Sequence, residues 1–141
     1  MMQVTMQPVS PAQLHDIWGV VRSEMEVAAS HSLGEWIPED CYSGIQQGVL
    51  SLFLWIVDSR YAGFIVLQKK QLFSGPVLHI FALYVIDEYG EYIDANMTQV
   101  DAIATKIGAK KITFQSPRRG WERRCKSLGF EAKSINYERE V

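Results

Sequence analysis

The side chains of this 141-residue sequence that could do chemistry are a dense group of bases near its C-terminus, a histidine inside an apolar run, and two cysteines. Lys110, Lys111, Arg118, Arg119, Arg123, Arg124 and Lys126 fall within seventeen positions. Arg119 and Arg123, or Arg123 and Lys126, lie on adjacent turns if the segment is helical. Arg118 and Arg119 would then precede the helix N-terminus, where the dipole also favours an anion. Such a group can take phosphate, nucleic acid or an acidic protein face, or it can be a solvated helix surface. No nucleic-acid motif and no interleaved aromatic run accompanies it, so nucleic acid is not the expected partner. Arg118, Arg119, Arg123 and Arg124 are instead expected to meet a protein, a second copy of the chain, or the chain's own acidic residues. His79 is a candidate general base; a histidine in an apolar run also reads as a satisfied core residue. His15 and His31 have no partner that the sequence identifies. Cys41 and Cys125 stand far apart, with neither a CxxC pair nor a Cys/His cluster, so no metal site and no disulfide framework is expected.

These residues need a scaffold, and the chain is long enough for one domain, 1–141, with a full core. Apolar residues make up 48% and charged residues 21%, which excludes wholesale disorder. The net charge of −2 hides a split: residues 1–107 carry 5 bases against 12 acids, and residues 108–141 carry 9 bases against 4 acids. That balance excludes a polyanion-wrapping protein and leaves a local basic patch. No apolar run approaches the ~20 residues that span a bilayer, and the first residues lack the basic and apolar regions of a signal peptide. No membrane association is expected, and a reducing, cytoplasmic location is.

Hydrophobic periodicity predicts the elements. Residues 4–8 alternate as a first strand. Ser10-Pro11 reads as an N-cap and first-turn proline, opening a helix with Leu14, Ile17, Trp18, Val21 and Met25 on one face. A short helix follows Pro38 and ends near Gly48. Residues 50–57 and 61–68 are strands joined by Asp58-Ser59-Arg60 as a hairpin, and 77–86 is a uniformly apolar strand for the centre of the sheet. A long helix is predicted over 92–107, stopped by Gly108. A short strand over 111–115, a helix over 120–128 stopped by Gly129, and a last strand over 130–138 complete a β-α-α-β-β-β-α-β-α-β order. The fold class is α/β (α+β): a mixed, mostly antiparallel sheet flanked by helices.

That order resembles the GCN5-related N-acetyltransferase (GNAT) superfamily, and four stretches carry the likeness over essentially the whole chain. Leu54-Trp55-Ile56-Val57-Asp58 with Ala62-Gly63-Phe64-Ile65-Val66 looks like the family's central hairpin. Leu83-Tyr84-Val85-Ile86-Asp87-Glu88-Tyr89 resembles the end of its fourth strand, and Ile107-Gly108-Ala109-Lys110-Lys111-Ile112 its helix-to-strand turn. Gly120-Trp121-Glu122-Arg123 and Leu128-Gly129-Phe130-Glu131 are similar to its closing helix and the Gly-Phe that follows. The wording Arg119-Gly120-Trp121-Glu122-Arg123 also resembles small acetyltransferase-like proteins encoded by tailed phages, which implies a host-cytoplasmic or virion location.

The resemblance implies that Val85, Gly90 and Tyr92 lie where relatives hold coenzyme A. Relatives read Arg/Gln-x-x-Gly-x-Gly/Ala there, with backbone N–H groups on the pyrophosphate. This chain reads Glu88-Tyr89-Gly90-Glu91-Tyr92-Ile93-Asp94: the arginine is absent, and Tyr92 and Asp94 stand about where glycines would be. Asp87, Glu88, Glu91 and Asp94 would each oppose a phosphate. A like-charge pair at ~6 Å and an effective dielectric of ~20 costs roughly 2–3 kcal/mol before screening. Tyr92 is expected to fill space that relatives give to the cofactor. The family's closing-helix tyrosine, which protonates the leaving thiolate, is matched in position by Cys125, whose thiol is a candidate proton donor. The leading expectation is therefore a GNAT-fold protein with a degenerate cofactor loop that needs no cofactor and acts through protein contacts. The alternative is an acetyl-CoA-dependent N-acyltransferase with a non-standard loop.

Overall fold

The computed structural model describes residues 3–118 and 120–141. Strand β1 (Val4–Val9) leads into helix α1 (Pro11–Ser30) and helix α2 (Pro38–Gln46). Strands β2 (Ser51–Val57), β3 (Arg60–Leu72) and β4 (Gly75–Val85) follow, then a 3-10 turn (Asp87–Tyr89), helices α3 (Gly90–Ala95) and α4 (Thr98–Lys106), strand β5 (Ile112–Thr113) and helix α5 (Trp121–Leu128). The sheet runs β1-β2-β3-β4-β5, antiparallel throughout except for the parallel β4–β5 pair.

Local chemistry accounts for the punctuation. Ser10 caps α1 reciprocally: its hydroxyl accepts from the Gln13 N–H at 3.2 Å, while its own N–H donates to Gln13 Oε1 at 2.8 Å, ahead of Pro11. Asp58 and Ser59 both take left-handed φ, 47° and 67°, as a two-residue hairpin turn of matching twist requires. Gly63 sits at φ 139°, where an added Cβ would lie 2.0 Å from the Tyr84 carbonyl oxygen, so β3 and β4 can meet there only through glycine.

The sheet is buried on both faces by its period-two alternation. Phe64, Val66 and Ala82 join Leu14, Val21 and Met25 of α1 and Cys41 and Ile45 of α2. Trp55, Ile65, Leu67, Leu78 and Ile80 join Ile93 of α3 and Val100 and Ala104 of α4. Phe81 is the extra residue of a β-bulge, because Ala82 pairs with Val66 while Ile80 pairs with Leu67. The bulge moves β4 onto the opposite alternation and lets Phe81 meet Trp36 of the α1–α2 loop at 4.9 Å between ring centroids. On the outer edge, Gln99 of α4 substitutes for a missing strand: it accepts from the Met6 N–H at 3.0 Å and donates to the Val4 carbonyl at 2.8 Å.

Three expectations are corrected. The single helix over 92–107 is two, α3 and α4, broken at Asn96-Met97; the Asn96 side chain donates to the Tyr92 carbonyl at 3.0 Å and the Asn96 N–H turns to Ile93, the local competition that makes asparagine a poor interior helix residue. The strand over 111–115 shrinks to two residues. No strand forms over 130–138: Ile135 and Tyr137 stay 75% and 86% exposed, since alternation supplies a strand only where a neighbour offers a row of free backbone groups, and β5 offers two residues. Gly129, at φ 81°, stops α5 as expected.

Candidate functional site

The site begins where β4 and β5 part. Their ladder consists of two pairs, Leu78 with Ile112 and His79 with Thr113. From Ile80 to Val85 the outer edge of β4 has no strand partner among the described residues. Six residues of extended chain make an edge about 20 Å long whose outward backbone groups are bonded to no strand.

His79 marks the closed end of this wedge. Its Nδ1 lies 2.8 Å from Thr113 Oγ1, so the side chains join the two strands their backbones already pair. The imidazole is 8% exposed. Burial, with Lys70 nearby, pushes its pKa down from 6.5 to about 4, which keeps it neutral at ordinary pH. A group so shifted is poorly matched to proton abstraction near neutrality, and its contacts are those of a seam.

At the open end, β4 passes through Val85 into the 3-10 turn. The Gly90 N–H is bonded to the Asp87 carbonyl, and the Tyr89 N–H donates to Ile86 at 2.8 Å, so both amides are spent within the turn. Asp87, Glu88 and Glu91 are exposed. Tyr92 is 36% exposed, with most of its surface covered. The side chain that lies against Gly90 is Arg124, from α5. A Cβ at Gly90 would come within 3.2 Å of an Arg124 terminal nitrogen. Arg124 Nε stands 3.4 Å from Asp94 Oδ2, and its guanidinium lies 5.8 Å from the Trp121 ring centroid. Burial pushes the Asp94 carboxyl up, and Arg124 draws it partly back.

Behind Arg124, Phe114 links Trp121 and Phe130, each at 5.1 Å between centroids. Phe114 and Phe130 pack on the core of the α3–α4 face. This aromatic group holds α5 beside the residue that follows β5. Cys125, next to Arg124, is partly buried, and its carbonyl accepts from the Phe130 N–H at 2.8 Å. Arg118 and Arg123 are exposed; Arg119 lies outside the described residues.

The structure thus brings together Gly90, Arg124 and Asp94, at the end of β4 that Val85 closes. Thr113 carries no sequence signal of its own, because it matters only through His79, far along the chain. A second polar contact, Tyr61 donating to Glu24 Oε1 at 2.6 Å on the α1 face, was equally silent; burial and that carboxylate push the phenol pKa up. Among the described residues no cluster of metal-ligating side chains occurs, and no helix is long and apolar enough to cross a membrane.

Solved structures share this architecture. A probable acetyltransferase is 14% identical, with 99% of this chain and 97% of that one covered at a TM-score of 0.70. An aminoglycoside N-acetyltransferase in complex with coenzyme A is 16% identical, with 99% and 96% covered at 0.70. A putative acetyltransferase from Bacillus subtilis is 12% identical, with 99% of both chains covered at 0.66. The chain has the GNAT acetyltransferase fold. No protein-family model and no curated protein matches the sequence. The loop at Gly90 directly follows Leu83-Tyr84-Val85-Ile86-Asp87-Glu88-Tyr89, one of the four stretches that carry the sequence resemblance.

Proposed function

We propose that this protein is an acyl-CoA-dependent N-acyltransferase with a non-standard anion site. The observation that carries the reading is the unpaired edge of β4 from Ile80 to Val85, ending at a loop faced by Arg124. An open strand edge presents alternating N–H and C=O groups to an extended, amide-containing chain such as pantetheine. The residues present fit that arm along the edge, and Arg124 fits a phosphate at its end. Asp87, Glu88 and Glu91 oppose the phosphates. Acetyl-CoA bound there would supply a thioester whose C–S bond breaks as the acceptor amine forms the new C–N bond. Cys125 is the candidate to donate a proton to the departing thiolate, its own thiolate then taking up the proton that the amine nitrogen gives up, and the contact of His79 with Thr113 closes the inner end of the wedge.

A second reading, a cofactor-free protein acting through protein contacts, is favoured by one specific observation: the turn spends the Gly90 and Tyr89 amides on its own carbonyls. Calorimetry with acetyl-CoA at low ionic strength separates the two. The acyltransferase reading expects one-site binding in the micromolar range, about −7 to −8 kcal/mol. Silence up to millimolar acetyl-CoA would refute it and leave the contact reading.

A further inference from the structure

The bases of the C-terminal region are not one surface. Arg118, Arg123 and Arg124 are all exposed, but Arg124 lies against Gly90, Asp94 and Trp121. Its ion pair is loose. The 3.4 Å separation from Asp94 exceeds the 2.7–2.9 Å of a charge-assisted hydrogen bond. Among the described residues the guanidinium takes part in no hydrogen bond, and the side chain is 46% exposed. A planar fork of five N–H donors is therefore held over a glycine, backed by an indole, with most of its donors unspent.

We propose that Arg124 is the phosphate-pairing residue of this site, supplied from α5 in place of the arginine the loop lacks, and that Asp94 holds it in position until an anionic ligand displaces the carboxylate. This rests on the acyltransferase reading and adds to it the residue that recognises the ligand's charge. The guanidinium stands at the mouth of the wedge, where a chain lying along Ile80–Val85 would present its phosphates. The absence of a side chain at Gly90 lets the guanidinium lie close over the loop, since a Cβ there would stand 3.2 Å from an Arg124 nitrogen. The exchange is favourable in kind: a half-exposed monodentate pair is worth little, and a phosphate offers the fork two parallel hydrogen bonds.

The test is calorimetry on the intact chain with two probes, acetyl-CoA and S-acetylpantetheine, which carries no phosphate. Arg124→Gln should weaken acetyl-CoA about tenfold or more and leave acetylpantetheine unchanged. Asp94→Asn should tighten acetyl-CoA by about two- to fivefold, since it removes the competitor while keeping the shape. If the wild type binds acetyl-CoA and Arg124→Gln binds it equally well or better, Arg124 is a passive plug and the inference is overturned while the acyltransferase reading survives. If neither the wild type nor Asp94→Asn binds acetyl-CoA, the acyltransferase reading itself fails. Thermal unfolding of each variant confirms that the fold is retained. Loss of acetylpantetheine binding in Arg124→Gln would show that the side chain shapes the wedge and does not read charge, which also overturns the inference.

Discussion

Acidification should destabilise this protein through His79 in particular. The imidazole has its pKa pushed from 6.5 down to about 4 by burial and by Lys70, so the folded state binds its proton less readily than the unfolded chain does. The stability it confers is complete above pH 6.5 and is lost as pH falls from there towards 4. One pKa unit is worth about 1.4 kcal/mol, so the full loss approaches about 3 kcal/mol, of which roughly 2.5 is gone by about pH 4.5. That is a large share of the roughly 5–15 kcal/mol typical of a domain. The perturbation that isolates it is His79→Gln, which can still bond Thr113 but does not titrate. Urea unfolding of both proteins at about pH 7.5 and about pH 4.5 gives four free energies. The wild type should lose about 2–3 kcal/mol more than the variant between the two pH values. Every other carboxylate and histidine contributes equally to both chains and cancels in that difference. A difference below about 0.5 kcal/mol would mean that His79 titrates as an exposed histidine, and the closed end of the wedge would not exist as described.

Two further predictions concern the frame around the site. Gly63→Ala should destabilise by about 3 kcal/mol or more, because its Cβ would meet the Tyr84 carbonyl at 2.0 Å in a backbone conformation that alanine resists; unfolding within about 1 kcal/mol of the wild type would refute the close approach of β3 and β4. Gln99→Ala should remove both side-chain bonds to β1, cost about 1–2 kcal/mol, and speed hydrogen exchange at the Met6 amide; unchanged Met6 protection would show that the edge of β1 is covered by something else.

Signals that depend on a few neighbouring residues were legible without coordinates. Ser10-Pro11 with Gln13 starts α1, Gly129 stops α5, and Asp58-Ser59 turns the hairpin, because capping and φ preferences act within about four residues. The apolar runs of β3 and β4 and the face of α1 were equally plain, since burial on both faces makes a strand uniformly apolar and burial on one face imposes period 3.6 on a helix. The contrast between an acidic first three-quarters and a basic end was a signal too, and Arg124 meeting Asp94 is one place where it is realised. What only the tertiary structure decided is where long-range pairing stops. Nothing local distinguishes Lys111 or Phe114 from the two residues between them that pair with β4, and nothing in 130–138 says that its alternation will find no neighbour. Strand pairing is a property of two segments at once. The same holds for His79 with Thr113 and for Arg124 with Gly90: each is an unremarkable residue type until the fold carries its partner, some thirty positions away, to within hydrogen-bond or van der Waals reach.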